Sequence, residues 1–298
     1  MPVPIFTHPD CLRHDPGPDH PESPARLRVL LDRARAERGV EVREAPAGSI
    51  DELLAVHPRP YLDRLRALSE AGGGALSLDT VMNDASWAAV LGATGAVTSA
   101  VAYTHGGAGH AFAAVRPPGH HALVSNAMGF CLVSTAVVAA RLAQREGRDR
   151  VLIIDWDVHH GNGTQALVEH DASIRYVSLH QHPWYPGTGL ADERGVGNVF
   201  NVPRGPDAPP GRYVDDLWAA IGAATAGWPP DLVLISAGFD AMLGDPLGGF
   251  TLEPDHYADL TGRIRELLPR VPIVGLMEGG YVPHRLADGV LAHVLALA

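Results

Sequence analysis

Among its 298 residues the chain has no lysine and only two cysteines, Cys11 and Cys131. Two thiols cannot build a disulfide framework, so a reducing cytoplasm is the expected compartment. All 23 basic side chains are arginine, which leaves the protein no lysine of its own to carry an acyl group. No apolar run approaches the roughly 20 residues of a membrane span. The opening Met-Pro-Val-Pro-Ile-Phe-Thr-His lacks the basic and apolar regions of a signal peptide. Positive charge is scarce too. The net charge of −11 argues against nucleic acid as a partner. It serves solubility first and would suit a cationic substrate second.

Apolar residues are plentiful, at 46%, enough for a core buried on both faces of a sheet. The length fits one α/β domain, residues 1–298. Five short apolar runs read as parallel strands: Ala111–Val115, Val151–Ile154, Tyr176–Leu179, Leu232–Ile235 and Val271–Leu276. Between them lie helical patterns. Ser23-Pro24 opens a helix to about Arg38, another follows Pro60, and others span Ser86–Thr104, Thr135–Gln144 (capped by Ser134), Tyr213–Ala226 and Pro254–Leu268. Gly72–Asp84 reads as a long functional loop and Pro203–Gly211 as a surface loop. Strands alternating with helices predict a three-layer α/β/α sandwich around a mostly parallel sheet.

Each apolar run ends in a polar cluster, and in such sheets the ligand site lies beyond the carboxyl ends of the strands. Asp157 and His159, two apart at one strand's end, fall on the same side, and Asp240 ends a neighbouring strand. Two carboxylates and one imidazole leave zinc an open fourth position, the arrangement of a catalytic site. His120 and His121 follow Arg-Pro-Pro-Gly. Buried histidines need partners, and Asp155 and Asn162 are placed to orient one each. The Asp-paired ring should be the more basic, separating an electrostatic helper from a general base. Tyr281, after Glu278-Gly279-Gly280, sits where a phenol can donate to an oxyanion opposite the metal. The glycines there permit close backbone approach.

Arg116-Pro-Pro-Gly-His-His-Ala122, Asp155-Trp-Asp-Val-His-His-Gly-Asn-Gly-Thr-Gln165, Pro186-Gly-Thr-Gly189, Ala237-Gly-Phe-Asp240 and Glu278-Gly-Gly-Tyr281 resemble, in order, the motifs of the zinc-dependent histone deacetylase family. The likeness begins at His20-Pro-Glu-Ser-Pro-Ala-Arg26 and covers nearly the whole chain. Asn162 and the Glu-Gly-Gly-Tyr form are similar to the class II branch and to bacterial acetylpolyamine and acetoin-utilisation relatives. The resemblance implies the arginase–deacetylase fold, zinc on Asp157, His159 and Asp240, and His121 as base. It also implies a structural potassium on Asp155, the Ser178 hydroxyl and backbone oxygens of Asp157, His159 and Leu179. An acyl-lysine tunnel would be walled by Gly129, Phe130, Tyr185 and Leu247, with Gly279 at the substrate, and Arg26 would line a product channel. Where acetylpolyamine-selective relatives carry a carboxylate at the gate, this chain has Leu247, which favours acyl-lysine.

The expected activity is therefore zinc-dependent removal of acetyl or short acyl groups from lysine side chains, with inhibition by hydroxamates. An acetylated polyamine or other small amine is the alternative substrate. An arginase-like ureohydrolase would need further carboxylates where Gly161 and Met242 stand. A non-catalytic acyl-ligand binder would not need Tyr281 or the histidine pair.

Overall fold

The computed structural model describes residues 2–107 and 109–298. Its strands are β1 (Val3–Thr7), β2 (Val40–Glu44), β3 (Gly73–Ala75), β4 (Val81–Asn83), β5 (Ala111–Ala113), β6 (Val151–Asp155), β7 (Ile174–Gln181), β8 (Val199–Arg204), β9 (Leu232–Ala237) and β10 (Ile273–Met277). Eight of them form one sheet in the order β2-β1-β5-β10-β9-β6-β7-β8, and every neighbouring pair is parallel. Strands β5, β6, β9 and β10 are wholly buried runs such as Val-Leu-Ile-Ile-Asp and Leu-Val-Leu-Ile-Ser-Ala, and β7 is buried except at Arg175, as a sheet covered on both faces demands.

The helices are α1 (Pro24–Ala36), α2 (Ile50–Leu53), α3 (Arg59–Glu70), α4 (Ser86–Tyr103), α5 (Thr135–Arg145), α6 (Asn162–Val168), α7 (Pro210–Thr225), α8 (Pro254–Leu267) and α9 (Pro283–Ala296). α1, α9, α8 and α7 pack in a row on one face, while α4 and α5 cover the other, with α6 against β7. Several begin with proline in the first turn, where a missing N–H costs nothing. The result is the expected three-layer α/β fold. No helix of the described residues is long and apolar enough to cross a membrane.

Several expectations need correction. The Gly72–Asp84 segment is not all loop: β3 and β4 pair antiparallel within it as a hairpin. The loop expected from Pro203 begins later, because Pro203 and Arg204 complete β8, an edge strand where proline is tolerated. Ser134 occupies the N-cap of α5 without capping it, and its hydroxyl is unpaired. Asp157 and His159 lie in the bend past β6, which ends at Asp155.

Candidate active site

The carboxyl ends of β5, β6, β9 and β10 converge, and their following residues build one buried constellation. Ligand atoms of Asp157, His159 and Asp240 all lie within 4.8 Å of one another. His159 Nδ1 is 2.9 Å from Asp157 Oδ1 and 3.3 Å from Asp240 Oδ2. Backbone donors fix both carboxylates: Val158 N to Asp240 Oδ1 at 2.8 Å and Gly279 N to Asp157 Oδ2 at 2.9 Å. Asp240 Oδ2 is buried with no hydrogen-bond partner. Burial, then the charge of Asp157, pushes Asp240 up to about 7. Burial opposes the charge of His159 as well, but Asp157 and Asp240 raise it to about 10. Two crowded carboxylates, one with an unpartnered oxygen, and an imidazole form a donor set that fits a zinc ion.

Gly279 lies against these ligands. A Cβ there would sit 1.9 Å from Asp240 Oδ2 and 2.6 Å from Asp157 Oδ2. The backbone there thus packs directly on the two carboxylates, with no room for a side chain.

The two histidines of the pair have different partners. His120 Nδ1 lies 3.1 Å from Asp155 Oδ2, which also accepts the Tyr176 hydroxyl at 2.9 Å. Burial opposes a charge on His120, yet Asp157 and Asp155 raise its pKa well above the usual imidazole value. His121 Nδ1 donates to Asn162 Oδ1 at 2.7 Å, which leaves Nε2 as the basic nitrogen. Burial and then the positive charges of His120 and His159 lower His121 well below the usual range. The surroundings thus favour the charged form of one ring and the neutral form of its neighbour, with centroids 4.0 Å apart.

Above them opens a pocket of about 220 Å³, reached by His121, His159, Tyr281, Phe130, Tyr185 and Leu247. Burial keeps the Tyr281 phenol protonated despite the guanidinium of Arg26 lying 4.9 Å from its ring centroid. Arg26 is fully buried and clamps the turn below. Its Nε donates to the Gly280 carbonyl at 2.6 Å, another nitrogen donates to the Glu278 carbonyl, and a third reaches Glu22 at 2.9 Å. Glu22 in turn receives two bonds from Arg116, at 2.6 and 2.8 Å.

Phe130 takes the left-handed conformation, φ 68°, directly after Gly129 at φ 55°. Gly129 must lack a side chain, since a Cβ would meet His121 Cδ2 at 2.3 Å. Thr80 Oγ1 accepts from Phe130 N at 3.0 Å and holds that strained residue in place. Ser178, on β7, faces Asp155 across the β6–β7 ladder, and its hydroxyl lies 2.9 Å from His180 Nδ1. Leu179 follows it on the same strand.

Residue-level reading of the sequence missed several groups at this site. Asp79 and Trp184 line the pocket. Asp245 receives Tyr281 N at 2.7 Å and Leu247 N at 3.0 Å, tying the tyrosine turn to the gate loop. The only signal for Asp79 was the length of its segment. A second trio, His120, Cys131 and Glu278, also lies within ligand distance. It does not resemble a metal centre: burial pushes the Cys131 thiol well up, and Glu278 Oε2 already accepts Gly119 N at 2.7 Å.

The family model described as histone deacetylase domain matches residues 20–297. The chain belongs to the histone deacetylase family. It is 38% identical over 273 residues to the histone deacetylase-like amidohydrolase of Pseudomonas aeruginosa, covering 88% of this chain and 72% of that one. It is 39% identical over 275 residues to histone deacetylase 15 of Arabidopsis thaliana, covering 88% of this chain and 50% of the plant protein. The crystal structure of the HDA15 HD domain superposes with a TM-score of 0.93 at 35% identity, over 99% of this chain and 90% of that one. The architecture is thus that of the histone deacetylase domain, the α/β arginase–deacetylase fold.

Proposed function

We propose that the protein is a zinc-dependent deacylase that hydrolyses the amide of an acetylated or short-acylated lysine side chain. The observation that carries this reading is the convergence of Asp157, His159 and Asp240 below a pocket that also receives His121 and Tyr281. Bound zinc supplies a Lewis acid that polarises the amide carbonyl and acidifies the attacking water. His121, neutral and held on its Nδ1 side by Asn162, takes the water's proton at Nε2 and returns it to the leaving amine. His120, kept cationic by Asp155 and Asp157, stabilises the negative charge that develops nearby. Tyr281 donates its hydroxyl to the oxyanion, an interaction worth about 3 kcal/mol. Phe130 and Tyr185 wall the apolar stem of the acyl-lysine.

In the same reading Asp155, Ser178 and the carbonyls of Asp157, His159 and Leu179 would hold a structural potassium. Arg26 lies on the path by which acetate leaves. The cytoplasm is the compartment and hydroxamates are the expected inhibitors. Gly161 and Met242 leave a second metal without carboxylates, which weighs against a ureohydrolase. Release of the fluorophore from a neutral acetyl-lysine peptide, blocked by a hydroxamate, tests the proposal. No turnover by zinc-loaded protein would leave the binder reading in its place.

A further inference from the structure

Granted the deacylase reading, Tyr281 must present its hydroxyl to the oxyanion from a fixed backbone. We propose that Asp245 is the positioning residue of Tyr281: its buried carboxylate sets the backbone from which the phenol donates and ties that backbone to the tunnel wall at Leu247.

The ring of Tyr281 is held by packing. Phe130 meets it edge-on at 5.7 Å between centroids, and the Arg26 guanidinium lies 4.9 Å from its centroid. Such contacts are less directional than the few tenths of an ångström that a catalytic donor requires. The residue before it, Gly280, sits at φ 118°, a region that glycine enters at little cost. Hydrogen bonds, and not a stiff chain, therefore fix this turn. Arg26 secures the side that precedes the tyrosine, through the carbonyls of Glu278 and Gly280. On the other side α9 begins at Pro283. The amide of the tyrosine itself donates to Asp245 Oδ2 at 2.7 Å.

Asp245 is suited to act as a rigid stop. It is 8% exposed, and each of its oxygens accepts one backbone N–H, since Oδ1 takes Leu247 N at 3.0 Å. Its loop starts directly after the metal ligand Asp240 and closes on itself. Leu243 N donates to the Leu252 carbonyl and Leu252 N to the Ala241 carbonyl, each at 3.0 Å, while Asp245 N reaches the Met242 carbonyl at 3.2 Å. Trp184 Nε1 holds the Leu247 carbonyl at 2.8 Å. Gly248 packs so closely that a Cβ would meet the Asp240 carbonyl at 2.2 Å. One loop thus carries a metal ligand, the tunnel wall and the support of the phenol, and Asp245 joins the last two.

The isostere asparagine keeps one acceptor oxygen where the carboxylate offers two, so one of the two backbone N–H groups would face an NH2 instead. The test is a double-mutant cycle of Asp245→Asn and Tyr281→Phe on an acetyl-lysine peptide, with zinc content measured for each protein. Asp245→Asn alone should lower kcat by about ten- to a hundredfold, the scale of a displacement of up to ~1 Å. KM and zinc content should stay within about twofold. In the Tyr281→Phe background the same change should cost less than about twofold, because no hydroxyl is left to position.

A residue that only stabilises the loop would cost the same factor in both backgrounds. One that acts through Leu247 would raise KM in both. Either result overturns the proposal, as does a fall in zinc content that tracks the fall in kcat. If Tyr281→Phe turns over too slowly to follow, the cycle is read in the Kd of a hydroxamate, whose oxygen can accept the same hydroxyl. Asp245→Asn should then weaken binding by about fivefold with the tyrosine present and leave it unchanged with phenylalanine; equal weakening in both overturns the proposal. If Asp245→Asn fails to fold, Asp245→Ser, which also keeps one acceptor, takes its place in the cycle with the same expectation. Coupling in the hydroxamate Kd, with no turnover of any substrate by the zinc-loaded wild type, would count against the deacylase reading and leave the positioning role standing.

Discussion

Replacing Gly279 by alanine probes the metal centre through a residue that supplies no ligand. The added methyl carbon would stand 1.9 Å from Asp240 Oδ2, 2.6 Å from Asp157 Oδ2 and 2.7 Å from Asp240 Cγ. Ordinary contact begins near 3.4 Å, so one carboxylate or the turn must move by roughly 1.5 Å. Neither can do so freely. Asp157 is held on its other oxygen by His159 N at 2.9 Å, Asp240 by Val158 N at 2.8 Å, and Arg26 clamps the turn itself. Catalytic constellations tolerate displacements of about 0.5 Å, and 1 Å costs on the order of a hundredfold in rate. Gly279→Ala should therefore lose at least about a hundredfold in kcat and bind zinc measurably more weakly. Overpacking should cost about 1–3 kcal/mol of stability. Gly262→Ala is the matched control, since a Cβ there in α8 meets nothing within 4 Å, and it should be neutral or more stable by up to ~1 kcal/mol. Metal analysis and steady-state kinetics on both variants decide the matter. A Gly279→Ala protein with full zinc content and near-normal kcat would refute the geometry.

Three further outcomes are expected. Tyr281→Phe should lose at least about a hundredfold in kcat with zinc content intact, because the hydroxyl is assigned to the oxyanion and not to the metal; a near-normal kcat would contradict the assignment. Glu22→Gln should destabilise the fold by about 3–5 kcal/mol in denaturant titration, since it strips the buried Arg26 and Arg116 of their shared carboxylate; a change under ~1 kcal/mol would show the cluster to be dispensable. Stability should also fall on acidification. Burial lowers His57 to about 4 and His293 to about 3, so the unfolded chain binds protons that the folded chain cannot. The loss begins below about pH 6.5 and continues toward the folded values. Tm should be roughly 5–10 °C lower at pH 5 than at pH 7.5, and a flat profile over that interval would contradict it.

The central strands were legible because they are buried on both faces and so appear as unbroken apolar runs. β1 and β2 were not singled out: β2 is a partly exposed edge, Val-Glu-Val-Arg-Glu, with little apolar signal, and β1 contains Pro4. α6 went unseen because it starts on Asn162 and Gly163, residues that read as motif rather than helix. α9, Pro283–Ala296, has a clean proline start but lay beyond the last motif considered. The metal ligands and the histidine pair could be read because their chemistry is carried by side chains next to strand ends. Gly279 was read only as a substrate contact, since the absence of a Cβ beside two carboxylates leaves no mark of its own in the sequence. Asp79 was hidden for a different reason. It reaches the pocket through a hairpin with no catalytic residue of its own, and only the packing of Gly129 and Thr80 against it brings it there.

Zinc titration of metal-free protein, followed by hydrolysis of a neutral acetyl-lysine peptide, tests the central claim most directly. Activity should rise from nil and level off at a single zinc equivalent per chain, with Asp240→Ala failing to recover at any loading. Hydrolysis that persists in the metal-free protein, that requires a second equivalent, or that never appears would contradict the account.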